Sequence, residues 1–116
     1  MKIMLINARS VKNKGCKLHD EIIDNDLDLF FITETWLSPY DTSAISDILP
    51  DSYEFFHFPR ADRNGGGVGV AVSRCVKSVK CVNRCFTSFE CLQATIVQDN
   101  QKVIFYLIYR PPNGSI

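Results

Sequence analysis

Glu34 and Asn7 are the side chains whose type and position could do chemistry. Glu34 comes two residues after Leu29-Phe30-Phe31-Ile32, an apolar run too short for an ordinary helix and suited to a strand buried on both faces. A carboxylate leaving such a low-dielectric core costs about 2 kcal/mol or more unless a metal ion, an arginine or a hydrogen-bond network offsets it. Asn7 ends the apolar stretch Ile3 to Ile6 in the same way. Each residue also has an ordinary reading, a solvated strand-end carboxylate for Glu34 and a turn former for Asn7.

The segment between them supplies the connection. From about Cys16 to Asn25, Leu18, Ile22 and Ile23 fall at helical spacing, with Asp20, Glu21 and Asp24 on the other side. Strand, helix and strand in succession predict a βαβ unit with parallel strands and a right-handed crossover. Asn7 and Glu34 then reach one rim, and ligands of open α/β sheets bind beyond the carboxyl ends of the strands.

The remaining elements read as mostly antiparallel. A short helix around Ala44 to Leu49 interrupts a polar connection, and the aromatic-rich Tyr53 to Phe58 is a strand. Asn64-Gly65 suits a hairpin turn, and the glycines beyond it run into a strand rather than a helix, which argues against a phosphate-cradling loop. Gly69 and Ala71 alternate with Val68, Val70 and Val72, so one face of that strand admits close approach of another layer. Residues 74 to 86 read as a basic, solvated edge. Glu90 to Val97 and Val103 to Tyr109 form a hairpin about Asp99-Asn100, and both faces of the second strand are apolar enough to be covered. Pro111-Pro112 ends it.

With 116 residues, 46% hydrophobic and 22% charged, the chain is one small folded domain or part of one. Net charge is zero, but residues 1 to 58 carry 5 Lys+Arg against 10 Asp+Glu and residues 59 to 116 carry 8 against 3. The acidic half could recruit a cation and the basic half a phosphate backbone. The 5 cysteines lack Cys-x-x-Cys spacing, so free thiols are expected rather than zinc. The apolar start is shorter than a signal-peptide core, which predicts an intracellular setting. His19 and His57 have no catalytic-triad motif around them and read as surface or packing residues.

Four segments occur in a telling order: Asn7-Ala8-Arg9-Ser10, Ile32-Thr33-Glu34-Thr35-Trp36-Leu37, Arg60-Ala61-Asp62-Arg63 before the Gly65 to Gly69 stretch, and Ile108-Tyr109-Arg110-Pro111-Pro112. The series resembles the endonuclease domain at the start of non-LTR (LINE-type) retrotransposon polyproteins, within the endonuclease/exonuclease/phosphatase superfamily. The resemblance implies an α/β, DNase I-like sandwich of which residues 1 to 116 form a partial domain. It implies Glu34 as the glutamate that binds Mg2+, Asn7 as the asparagine organising that metal and the scissile phosphate, and Tyr109 as a phosphate-contacting tyrosine. DNA is the implied partner, nicked to prime reverse transcription in a nuclear setting, with no membrane and no small-molecule cofactor.

The family pattern continues beyond the tyrosine to an Asp-x-Asn segment and an Asp-His pair, and neither occurs between Tyr109 and Ile116. The expectation is therefore the N-terminal half of the domain, with turnover near background, a second sheet mostly missing, and open sheet surfaces prone to association. Two alternatives stand beside the endonuclease reading. One is a non-catalytic nucleic-acid-binding or interaction fragment, and the other is a different phosphoesterase of the same superfamily.

Overall fold

The computed structural model describes residues 1–60 and 65–111. It opens with the expected βαβ unit: β1 (Ile3–Asn7), α1 (Gly15–Asp24) and β2 (Leu29–Thr33), with β1 and β2 parallel and Asn7 in register with Thr33. There follow α2 (Thr42–Ile48), β3 (Tyr53–Phe58), β4 (Val68–Ser73), β5 (Val79–Cys85), β6 (Glu90–Gln98) and β7 (Gln101–Tyr109). One sheet has the order β1-β2-β4-β3 and the other β5-β6-β7, with every pairing except β1 with β2 antiparallel.

The apolar run of β2 is unbroken because two cores share it. Phe30 and Ile32 pack with Leu18, Ile22 and Ile48 of the helices, while Leu29 and Phe31 pack with Val70, Leu92 and Leu107. All five residues of β2 are buried. Helices therefore cover one face of the first sheet and the second sheet covers the other, with Phe31 and Phe105 meeting at 5.8 Å across the gap. Truncating Phe30, fully buried, to alanine is expected to lower stability by about 3–5 kcal/mol, read as a shift in urea midpoint.

The β6–β7 hairpin turns where expected. Asp99 and Asn100 have φ of 53° and 61°, the paired left-handed residues of a tight turn that matches strand twist. β5 is an edge strand, in keeping with its basic sequence. The Asn64 half of the expected Asn64-Gly65 turn, with Asp62 and Arg63, lies outside the described residues, as does Pro112. No helix among the described residues is long and apolar enough to cross a membrane.

Three strands of a second sheet are present and close one face of the first. One expectation needs correction, that both faces of β7 are covered: Phe105, Leu107 and Tyr109 pack inward, but Ile104, Tyr106 and Ile108 are exposed, Ile108 by 60%. β1 extends one strand beyond this cover, leaving Ile3 and Leu5 exposed beside the free edge of β7. Such an edge flanked by apolar side chains pairs readily with other chains. Concentrated protein should therefore self-associate in sedimentation velocity, and the double variant Ile104→Lys, Ile108→Lys should sediment as a monomer. Equal association of both proteins would place the contact elsewhere.

Candidate functional site

The β1/β2 ladder continues past the strand ends. Ala8 N–H donates to Thr33 O at 2.9 Å, Ser10 N–H to Glu34 O at 2.8 Å and Val11 N–H to Thr35 O at 3.1 Å. Lys14 Nζ braces the intervening loop by donating to the carbonyls of Ala8 and Arg9. Asn7 and Glu34 consequently end adjacent parallel strands at one rim, Asn7 exposed and Glu34 partly buried.

Glu34 leaves β2 with φ of 53°, and Trp36 follows with φ of 56°. Left-handed backbone at a glutamate is uncommon and costs about 1–3 kcal/mol. Neighbouring backbone holds it there: Thr35 N–H donates to Gly67 O and Trp36 N–H to Gly66 O. These glycines cannot carry side chains. A Cβ on Gly67 (φ 88°) would lie 2.5 Å from Thr35 Oγ1, and one on Gly66 (φ 65°) would lie 2.6 Å from the Arg60 guanidinium.

The second sheet brings two further groups. Tyr109 and Glu90 are partners across β6 and β7, both on the face turned toward the first sheet. Burial, then the neighbouring carboxylates of Glu34 and Glu90, push the Tyr109 hydroxyl up to about 12. Tyr109 is therefore a neutral donor at any physiological pH. Glu90 accepts from Gly67 N–H at 2.6 Å and from Arg60 Nη2 at 2.8 Å, with the two charged side chains only 17% and 13% exposed. This ion pair ties the glycine bend to the strand carrying Tyr109.

The three residues singled out in the sequence, Asn7, Glu34 and Tyr109, thus come to one end of the sandwich. The Arg60–Glu90 pair was not foreseen, although counting back from the two-residue turn at Asp99-Asn100 sets Glu90 opposite Tyr109. His57 plays no part at the rim: it stacks on Phe55 at 5.3 Å, its Nδ1 is buried without a partner, and burial holds its pKa below the ordinary value. All five cysteines are free.

A pH titration tests the rim's geometry. Tyrosinate absorbance should reveal a group near 12, absent in Tyr109→Phe, whose midpoint falls in Glu34→Gln yet stays above the ordinary 10.0 because burial remains. An unchanged midpoint in Glu34→Gln would mean that the carboxylate does not face the phenol.

Among the described residues, no three His, Cys, Asp or Glu side chains gather as a closed metal cage. The rim residues that could hold a metal ion are Glu34, through its carboxylate, and Asn7, through its amide oxygen, both hard oxygen donors.

No family profile and no curated protein matches the sequence. Solved structures do match the fold. AP endonuclease LMAP from Leishmania major superposes with a TM-score of 0.67 at 15% identity, over 92% of this chain and 38% of that one. An AP endonuclease from Archaeoglobus fulgidus gives 0.58 at 16% identity, over 90% and 39%. The chain therefore spans less than half the length of either neighbour, and its two sheets with outer helices have the mixed α/β, DNase I-like fold of those AP endonucleases.

Proposed function

We propose that this rim is the phosphodiester-binding part of a Mg2+-dependent DNA endonuclease site of the endonuclease/exonuclease/phosphatase superfamily. The observation carrying the proposal is the backbone bridge at Gly67, which accepts from Thr35 N–H and donates to Glu90, so that the Glu34 end of β2 meets the strand pair bearing Tyr109 beside the strand that ends in Asn7. The resemblance of four sequence segments to LINE-type retrotransposon endonucleases supports the narrower assignment to that branch.

The roles follow from charge and donor chemistry. Glu34 and Asn7 would hold the metal through oxygen atoms, and a bound divalent ion supplies Lewis-acid polarisation of a phosphoryl oxygen. Glu34 and Glu90 against Arg60 give these residues one net negative charge, which favours a cation first and a phosphate only after neutralisation. Tyr109 then donates to a non-bridging oxygen without bringing a charge of its own. Glu90 keeps Arg60 and Gly67 in place behind Tyr109.

Glu34, Asn7 and Tyr109 would thus bind and polarise a phosphodiester. The second reading is a nucleic-acid-binding module without turnover. The test is plasmid binding and nicking with and without magnesium. Binding should tighten with Mg2+, and Glu34→Gln should abolish that tightening, while nicking stays close to the variant's background. Binding that ignores both magnesium and Glu34→Gln would refute the metal site and leave the second reading.

A further inference from the structure

Next to the rim, between the end of the first sheet and the β5–β6 turn, lies a cavity of about 250 Å³ lined by Phe58, Arg60, Asn83, Phe86, Phe89 and Glu90 among others. Phe86 and Phe89 stack at 4.3 Å with rings 18° apart. Phe89 backs the Phe86 ring, yet Phe86 remains 47% exposed. The Arg84 guanidinium sits over that ring, 5.8 Å from its centre, and donates to Gln93 Oε1 at 3.3 Å. A hairpin needing only a hydrophobic clasp would bury both rings; here one ring stacks on its neighbour, carries a cation over it and stays half exposed.

We propose that Phe86 and this cavity form a stacking site for one unpaired nucleobase of a DNA strand whose phosphate lies at the Glu34 rim. The inference rests on the functional reading above for the choice of DNA, and on the pocket for the rest. A half-exposed aromatic ring, an exposed guanidinium over it that an incoming base displaces toward its own phosphate, and the Asn83 amide, able to donate and accept, match the three things a base presents: a ring, an adjacent phosphate and a hydrogen-bonding edge. The volume falls below the roughly 300–1,000 Å³ of sites for drug-sized molecules, as a single ring system requires.

The register sets the distance. Cys85 pairs with Glu90, and Glu90 with Tyr109, so the start of the loop bearing Phe86 is two strand spacings from Tyr109, about 10 Å. That is roughly three stacked nucleotides at 3.4 Å each. The Arg60–Glu90 pair forms the wall shared by the two places.

The test uses the full chain with and without magnesium and a short single-stranded oligonucleotide, its length checked after each measurement, with a fluorescent adenine analogue at successive positions. Stacking quenches the analogue. Wild-type protein should quench it at one preferred position, Phe86→Ala should bind about 5- to 150-fold more weakly and lose the quench, and Phe86→Trp should keep both. Phe86→Leu keeps an apolar backing for Phe89 without a π-face and should also lose the quench, which separates stacking from misfolding. Unchanged affinity and quench in Phe86→Ala or Phe86→Leu, or no quench by the wild-type protein, would overturn the proposal. Phe86-dependent quenching by a protein that shows no Mg2+ effect on binding would uphold it and refute the metal-site reading alone.

Discussion

Replacing Glu90 with alanine is expected to lower stability by about 3–5 kcal/mol, the loss seen when one member of a buried ion pair is removed. Arg60 and Glu90 are both mostly buried, and Glu90 also accepts from Gly67 N–H. The substitution leaves a desolvated guanidinium and a backbone donor without partners at once. At about 4 °C per kcal/mol for a chain of this size, the thermal midpoint should fall by roughly 12–20 °C. Glu90→Gln keeps an acceptor for Gly67 and should lose less. Exchanging the pair for apolar residues, Arg60→Met with Glu90→Leu, should recover most of the loss, because the desolvation cost of both charges disappears together. A midpoint within about 4 °C of wild type in Glu90→Ala would mean that water screens the pair and that it does not brace the rim.

This brace marks where the sequence stops being readable. Short-range patterns gave the βαβ unit: the apolar run of β2, the spacing of Leu18 and Ile22, and the polar residues closing both strands. They therefore also gave the shared rim of Asn7 and Glu34. Asp99-Asn100 fixed the last hairpin, and with it the partners of Tyr109. What lies opposite a strand is not written in its alternation. Ile104, Tyr106 and Ile108 are as apolar as the inward residues of β7, so the strand reads as covered on both sides although one side faces solvent. The roles of Gly66 and Gly67 depend on Arg60 and Thr35 arriving from beyond the ends of β3 and β2, and a glycine run does not say which of its members must lack a side chain. Nor does a glutamate announce a left-handed backbone, a conformation its own preferences oppose.

That conformation leads to the largest functional effect. Glu34→Gly should abolish the Mg2+-dependent tightening of DNA binding while raising stability. Wild-type Glu34 pays for φ of 53° with about 1–2 kcal/mol that glycine does not incur. Glycine's greater freedom in the unfolded chain takes back about 0.4–1 kcal/mol, leaving a net gain near 0.5–1 kcal/mol, or a few degrees in thermal midpoint. Glu34→Gln keeps the left-handed backbone and loses only the charge, so it should lose the magnesium response without the gain. Opposite signs for stability and function at one position are what a strained ligand-bearing residue predicts. If Glu34→Gly instead melts below Glu34→Gln, the side chain stabilises the fold through Tyr109 more than the backbone opposes it, and the strain is not held for binding.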